Sequence, residues 1–229
     1  MADGLLRTAL RGRARAVLVG SLAGLVCVVS ACGSEGGSAG TAGGSATSSS
    51  SSSGTVEEAD LRAWMVRAED LPGRWRSSER PTGGFRQQVC GVDIEPTPPT
   101  SGDRVRFSQG GLGPFLAQYV RLHDSARVPQ RVVGDLQGAL QGCDHYTTKG
   151  DGSGQSARFR VEPLQVDGLP DHAVAWRQTA TRGARITTDM VLVAKGEGLV
   201  AFVSYAVRED PNPQVVADAV AALERKDLP

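Results

Sequence analysis

Lysine, histidine, cysteine and aromatic residues are all scarce in this chain of 229 residues. Aromatics make up only 5% of it, so its core must be built mainly from Val, Leu and Ala. Lysine occurs only at Lys149, Lys195 and Lys226, which leaves 22 of the 25 basic residues as arginine. These arginines are interspersed with 25 acids and form no stripe, so the charge pattern gives no reason to expect a nucleic-acid binder. The three histidines, His123, His145 and His172, stand in no H-E-x-x-H or H-x-H arrangement. A Walker loop is absent, as is a G-x-G-x-x-G turn between a strand and a helix. Gly36-Gly37-Ser38-Ala39-Gly40 matches the G-x-S-x-G pattern, but no strand leads into it, and that motif works only on a strained strand-to-helix turn. Asp151-Gly152-Ser153-Gly154 resembles part of a calcium loop without the spaced carboxylates that would complete it. The chain is therefore read as non-catalytic, with no metal and no cofactor.

The N-terminus does carry a clear pattern. Arg7, Arg11, Arg13 and Arg15 precede the apolar run Ala16 to Val29, in the order of a secretory signal. The run is shorter than the ~20 residues needed to span a bilayer core. It ends in Val29-Ser30-Ala31-Cys32, which resembles the lipobox of bacterial lipoproteins, with Val29 where Leu is usual. That resemblance implies cleavage before Cys32, a diacylglycerol on its thiol, and residues 1–31 as a signal peptide. Two acyl chains hold a protein firmly where one is marginal. The expected location is the extracytoplasmic face of the cell membrane, with membrane lipid as the first partner.

Residues 32–54 hold 9 Ser, 7 Gly and a single charge, Glu35. Such a segment buries too little apolar surface to offset its ordering entropy. It reads as a flexible tether of roughly 25–30 Å root-mean-square span.

Residues 55–229 are enough for one domain with a core of its own. Thr55-Val56-Glu57-Glu58 is a capping-box pattern, followed by Leu61, Trp64, Met65 and Ala68 at helical spacing up to Leu71-Pro72-Gly73. The Pro-, Thr- and Gly-rich stretch from Ser77 to Gly102 reads mostly as loop. Val105 and Phe107 alternate with polar neighbours, and Phe115 to His123 makes a second strand. Pro129 suits a helix start, and Val132, Leu136, Ala139, Leu140 and Cys143 fall on one helical face. Ala157, Phe159 and Val161 mark a third strand and Ala173 to Thr179 a fourth. Two Val-rich runs between Arg185 and Val207 flank Gly196-Glu197-Gly198 and read as a hairpin. Asn212-Pro213 then opens a terminal helix with Val216, Val220 and Leu223 on its apolar face. Short connections favour antiparallel pairing. The expected fold class is α+β: one antiparallel sheet of about five to six strands, with helices packed on one face and one disulfide.

With Cys27 removed in the signal and Cys32 acylated, Cys90 and Cys143 remain as an even pair in an exported domain, and they are expected to bond. A metal site on Cys143 and His145 is the competing reading, and it lacks further ligands at suitable spacing. Among the tryptophans, Trp64 lies on the helical stripe and reads as core, while Trp176 sits mid-strand beside Arg177. Trp75, in the loop after Pro72-Gly73-Arg74, either lines a pocket or covers the core edge.

The order of these motifs resembles the PknH-like extracellular sensor domain of actinobacterial surface lipoproteins and receptor kinases. The resemblance rests on Glu69-Asp70-Leu71-Pro72-Gly73-Arg74-Trp75, Leu140-Gln141-Gly142-Cys143, Phe159 to Leu164, the hairpin strands and the Ala-rich final helix. It covers about residues 56–227 and implies an antiparallel sheet with a cleft, held by disulfides, and ligand sensing outside the cell. Two features depart from it. One disulfide is possible where the kinase domain looks to have two, and Leu169-Pro170-Asp171-His172 stands where relatives often show a Gly-Asp-x-Ser turn. The function expected is a membrane-anchored, non-catalytic sensor-like lipoprotein that binds a small or lipidic envelope ligand. The alternative is a structural lipoprotein that docks on another envelope protein.

Overall fold

A computed structural model describes residues 61–78, 88–149, 156–182, 185–207 and 209–228. The signal, Cys32, the tether, the capping box at Thr55 and the segment Asp151 to Gly154 lie outside the described residues. Among the described residues, no helix is long and apolar enough to cross a membrane.

The first described element is the helical stretch 61–64, followed by a 3-10 turn at Ala68–Asp70. Strand β1 (Arg76–Ser78) comes next, then a small hairpin of β2 (Gln88–Val89) and β3 (Val92–Asp93). Strands β4 (Ser101–Ser108) and β5 (Phe115–Leu122) lead into helix α1 (Arg127–Leu140). After it come β6 (His145–Lys149), β7 (Ser156–Pro163), β8 (Ala173–Ala180), β9 (Thr187–Lys195) and β10 (Gly198–Tyr205). Helix α2 (Pro213–Glu224) closes the chain. Eight strands form one antiparallel sheet in the order β1-β4-β5-β10-β9-β8-β7-β6, while β2 and β3 pair separately.

The sheet is therefore larger than expected, with eight strands instead of five or six. Two of them gave little sequence signal. Arg76-Ser77-Ser78 has no apolar residue, and from His145 to Thr148 only Tyr146 is buried. Cys143 also falls outside the helix on whose stripe it was counted, in the turn after Leu140.

The expectation of helices on one face is corrected as well. On one side of β9 and β10, Val191, Val193, Val200 and Phe202 pack with Val216, Ala219, Val220 and Leu223 of α2. On the other side, Met190, Leu192, Leu199 and Ala201 pack with Val132, Val133 and Leu136 of α1. The register keeps each set on its own face: Val200 lies opposite Val193 and Ala201 opposite Leu192. A half-exposed strand alternates apolar and polar residues, and Met190 to Ala194 does not; it is apolar throughout because helices cover both sides.

Both ends of α2 are closed by side chains. Asn212 Oδ1 accepts from the Gln214 amide at 3.0 Å, and Lys195 Nζ donates to the carbonyls of Leu223, Glu224 and Lys226 at 3.1, 3.2 and 3.3 Å. These partners satisfy backbone groups that a helix leaves free at its ends, and the ammonium also suits the negative pole. On the opposite face, the Cys90–Cys143 disulfide ties the β2–β3 turn to the end of α1 across a separation of 53 residues. Val89 and Ile94, on either side of that turn, are fully buried beside α1.

Candidate functional site

One cavity lies where the Leu71-Pro72 turn, the β4–β5 loop and the start of α2 meet. Its volume is about 360 Å3, within the usual range for small-molecule sites. Trp75 forms one wall, half-buried against the α2-side core. Its indole Nε1 donates to the Pro72 carbonyl at 3.0 Å, which fixes the ring relative to the turn. The turn needs glycine at 73: its φ is +94°, and a side chain there would meet Gln109 Nε2 at 2.9 Å. Gln109 itself lines the cavity, together with Pro114.

The facing wall is the β10–α2 connection with Glu209, Asp210 and Asn212, continued on α2 by Gln214, Val215 and Asp218. An ion pair between half-buried Arg177 and fully buried Asp189 holds this connection. Arg177 Nε and Nη2 donate to the two carboxylate oxygens of Asp189 at 2.6 and 2.9 Å, and Nη2 also donates to the Pro211 carbonyl at 2.8 Å. The Asp189 carboxylate holds the Arg177 guanidinium above its ordinary range. Next along the wall, Gln214 Nε2 donates to Asp218 Oδ1 at 2.8 Å. Ala206, just past β10, also lines the cavity; Ser204, two residues earlier and within the strand, is fully buried, and its hydroxyl has no hydrogen-bond partner among the described residues.

The lining is chemically one-sided. It holds three carboxylates, Glu209, Asp210 and Asp218, and three carboxamides, but no described lysine or arginine. Among the described residues, no three potential ligands converge well enough to hold a metal ion.

A second cavity, about 400 Å3, opens between the C-terminal half of α1 and strands β7 and β8, and it is mostly apolar. Leu140, Val161, Val174 and Trp176 line it, with Gln137 and Gln141 at the rim. Beneath it, Gln178 Oε1 accepts from Tyr146 Oη at 2.7 Å and from Trp176 Nε1 at 3.1 Å. Burial pushes the Tyr146 hydroxyl well above its ordinary range, so it stays a donor.

The sequence-level candidates are placed as follows. Trp75 lines a cavity and also packs on the core edge, so both readings of it apply. Trp64 and Trp176 are core, 3% and 0% exposed. Cys143 is bonded to Cys90, which removes it as a thiolate ligand beside His145. His172 is exposed, whereas His123, just past the end of β5, is only 3% exposed. Gln109, Glu209, Asp210 and Asp218 were not singled out from the sequence. Only the Asn212-Pro213 helix start hinted that the chain turns there.

These features define a class: an antiparallel sheet covered by a helix on each face, with loop-built cavities and one disulfide in the described part. Among solved structures, the chain is similar to the extracellular domain of PknH from Mycobacterium tuberculosis, with a TM-score of 0.54 over 75% of this chain and 96% of that one. The two are 11% identical, so the likeness establishes the fold. No family model matches the sequence, and no curated protein does.

Proposed function

We propose that this chain is an extracytoplasmic lipoprotein, anchored through acylated Cys32 and a Gly/Ser tether, whose folded domain is a non-catalytic, sensor-like module for a small envelope ligand. The observation that carries the ligand-binding part is the Trp75 cavity. Its walls come from separate elements, each fixed by its own hydrogen bonds: the indole to Pro72, the Pro211 loop to Arg177, and the α2 start by Asn212. A cavity held in shape loses little entropy when it is filled. The match to an extracellular domain of the same fold supports placing the domain outside the cell. A lipidic ligand would instead suit the apolar cavity beside Trp176.

The test is a thermal-shift screen of the purified full-length chain in detergent, against wall fragments, envelope lipids and small metabolites. A ligand that binds only the native form raises the melting midpoint, by a free energy of about 2.7 kcal/mol at a hundredfold excess over Kd. At least one compound is expected to act on the wild type and not on Trp75→Ala. Stabilisers that act equally on both would remove the Trp75 cavity from the proposal. For the anchor, Cys32→Ser is expected to leave an unprocessed precursor that takes up no fatty acid.

A further inference from the structure

We infer that the Trp75 cavity selects an organic cation, a small molecule bearing an amine or quaternary ammonium group; this rests on the ligand-binding reading above. Four observations converge on that class. The lining brings Glu209, Asp210 and Asp218 around one space with no described lysine or arginine among them. An anion would be repelled there and a cation drawn in, more strongly in a partly enclosed space than in open water. An indole forms a wall, and the face of an indole is the strongest aromatic partner for a cation. Leu71, Pro114 and Val215 add apolar surface for the carbon part of such a molecule. The carboxamides of Gln109, Asn212 and Gln214 line the same space and bring acceptors for N–H donors.

The tryptophans supply the readout. Trp64 and Trp176 are buried in the core, so a ligand in this cavity should change chiefly the emission of Trp75. Full-length chain in detergent is titrated with putrescine, choline, trehalose and acetate while tryptophan fluorescence is followed. At least one of the two cations is expected to give a saturable change that is absent in Trp75→Phe. Glu209→Gln and Asp218→Asn, both surface changes, are each expected to weaken it roughly tenfold, with far-UV circular dichroism unchanged. Trehalose and acetate are expected to have no effect. If trehalose saturates and neither cation does, the cavity is a ligand site but the cation class is wrong, and the sensor reading stands. If none of the four probes changes Trp75 emission, or if the carboxylate variants bind the cations as tightly as the wild type, the organic-cation site is overturned; the broader screen then decides the sensor reading by itself.

Discussion

Gln118 shows how a single side chain can stand in for a strand. Fully buried in β5, it accepts from the Val66 amide and donates to the Trp64 carbonyl, both at 2.8 Å, so residues 64–66 are held to the sheet without pairing along it. His123, just beyond the same strand, is the opposite case: it is buried, and neither ring nitrogen has a partner among the described residues. Burial lowers its pKa below the ordinary 6.5; nearby Glu95 and Asp124 pull it back up, and Arg121 adds to the lowering. A histidine that resists protonation when folded but not when unfolded makes the unfolded state the better proton binder below that pH. Stability contributed by the neutral ring is therefore complete above about pH 6.5 and is lost as the pH falls toward the folded value. One proton accounts for at most about 1.4 kcal/mol per pH unit. Urea unfolding of the wild type at pH 7.5, 6.5 and 5.5 is expected to show this loss. His123→Phe, similar in size and unable to titrate, is expected to show a shallower decline; an identical decline would mean that His123 does not contribute. The sequence placed His123 at a strand end but did not show that it lacks partners, because alternation along β5 shows which face a side chain takes but not whether its nitrogens meet a partner.

The elements divide by how local their causes are. Helix α2, the β9–β10 hairpin and the strands β5 and β8 were legible because their signals lie within a dozen residues: a cap, a Gly-Glu-Gly turn, runs of branched apolar residues. Strands β1 and β6 were not, since edge strands are held by backbone pairing to a neighbour and need few apolar residues of their own. The second covering helix was legible in principle, since a central strand with no polar face requires cover on both sides. The cavity draws on residues from 71 to 218 with no periodicity between them, so only the fold assembles it. Its least replaceable support is the Arg177–Asp189 pair, because Asp189 is 0% exposed and Arg177 alone joins it to the Pro211 carbonyl. Removing one partner strands a buried charge. Arg177→Leu is expected to cost about 3–5 kcal/mol in urea unfolding, while Arg177→Leu with Asp189→Leu recovers most of it. Recovery of stability without recovery of the Pro211 contact would leave ligand binding impaired in the double variant, which separates the clamp's effect on the cavity from its effect on the fold.

At the scale of the molecule, the sheet forms the continuous body and the disulfide serves a satellite. Strands β9 and β10 are buried on both faces, whereas the β2–β3 hairpin pairs with no strand of the main sheet and rests on α1 through Val89 and Ile94. Two residues per strand cannot hold a hairpin in water, so the Cys90–Cys143 bond supplies what pairing does not. Closing a loop across a separation of 53 residues stabilises by about 4 kcal/mol in the chain-entropy picture, acting on the unfolded chain. The native architecture adds a second consequence that this picture lacks. With Cys90→Ala and Cys143→Ala, the hairpin is free to lift from α1 while the sheet stays closed. The double variant is expected to lose about 4 kcal/mol in urea unfolding. Native-state hydrogen exchange is expected to quicken at residues 88–94 and at the end of α1, with β9 and β10 keeping the highest protection in the molecule. A uniform loss of protection across every element would show instead that the bond acts through the unfolded chain alone, and that packing on Val89 and Ile94 is enough to seat the hairpin.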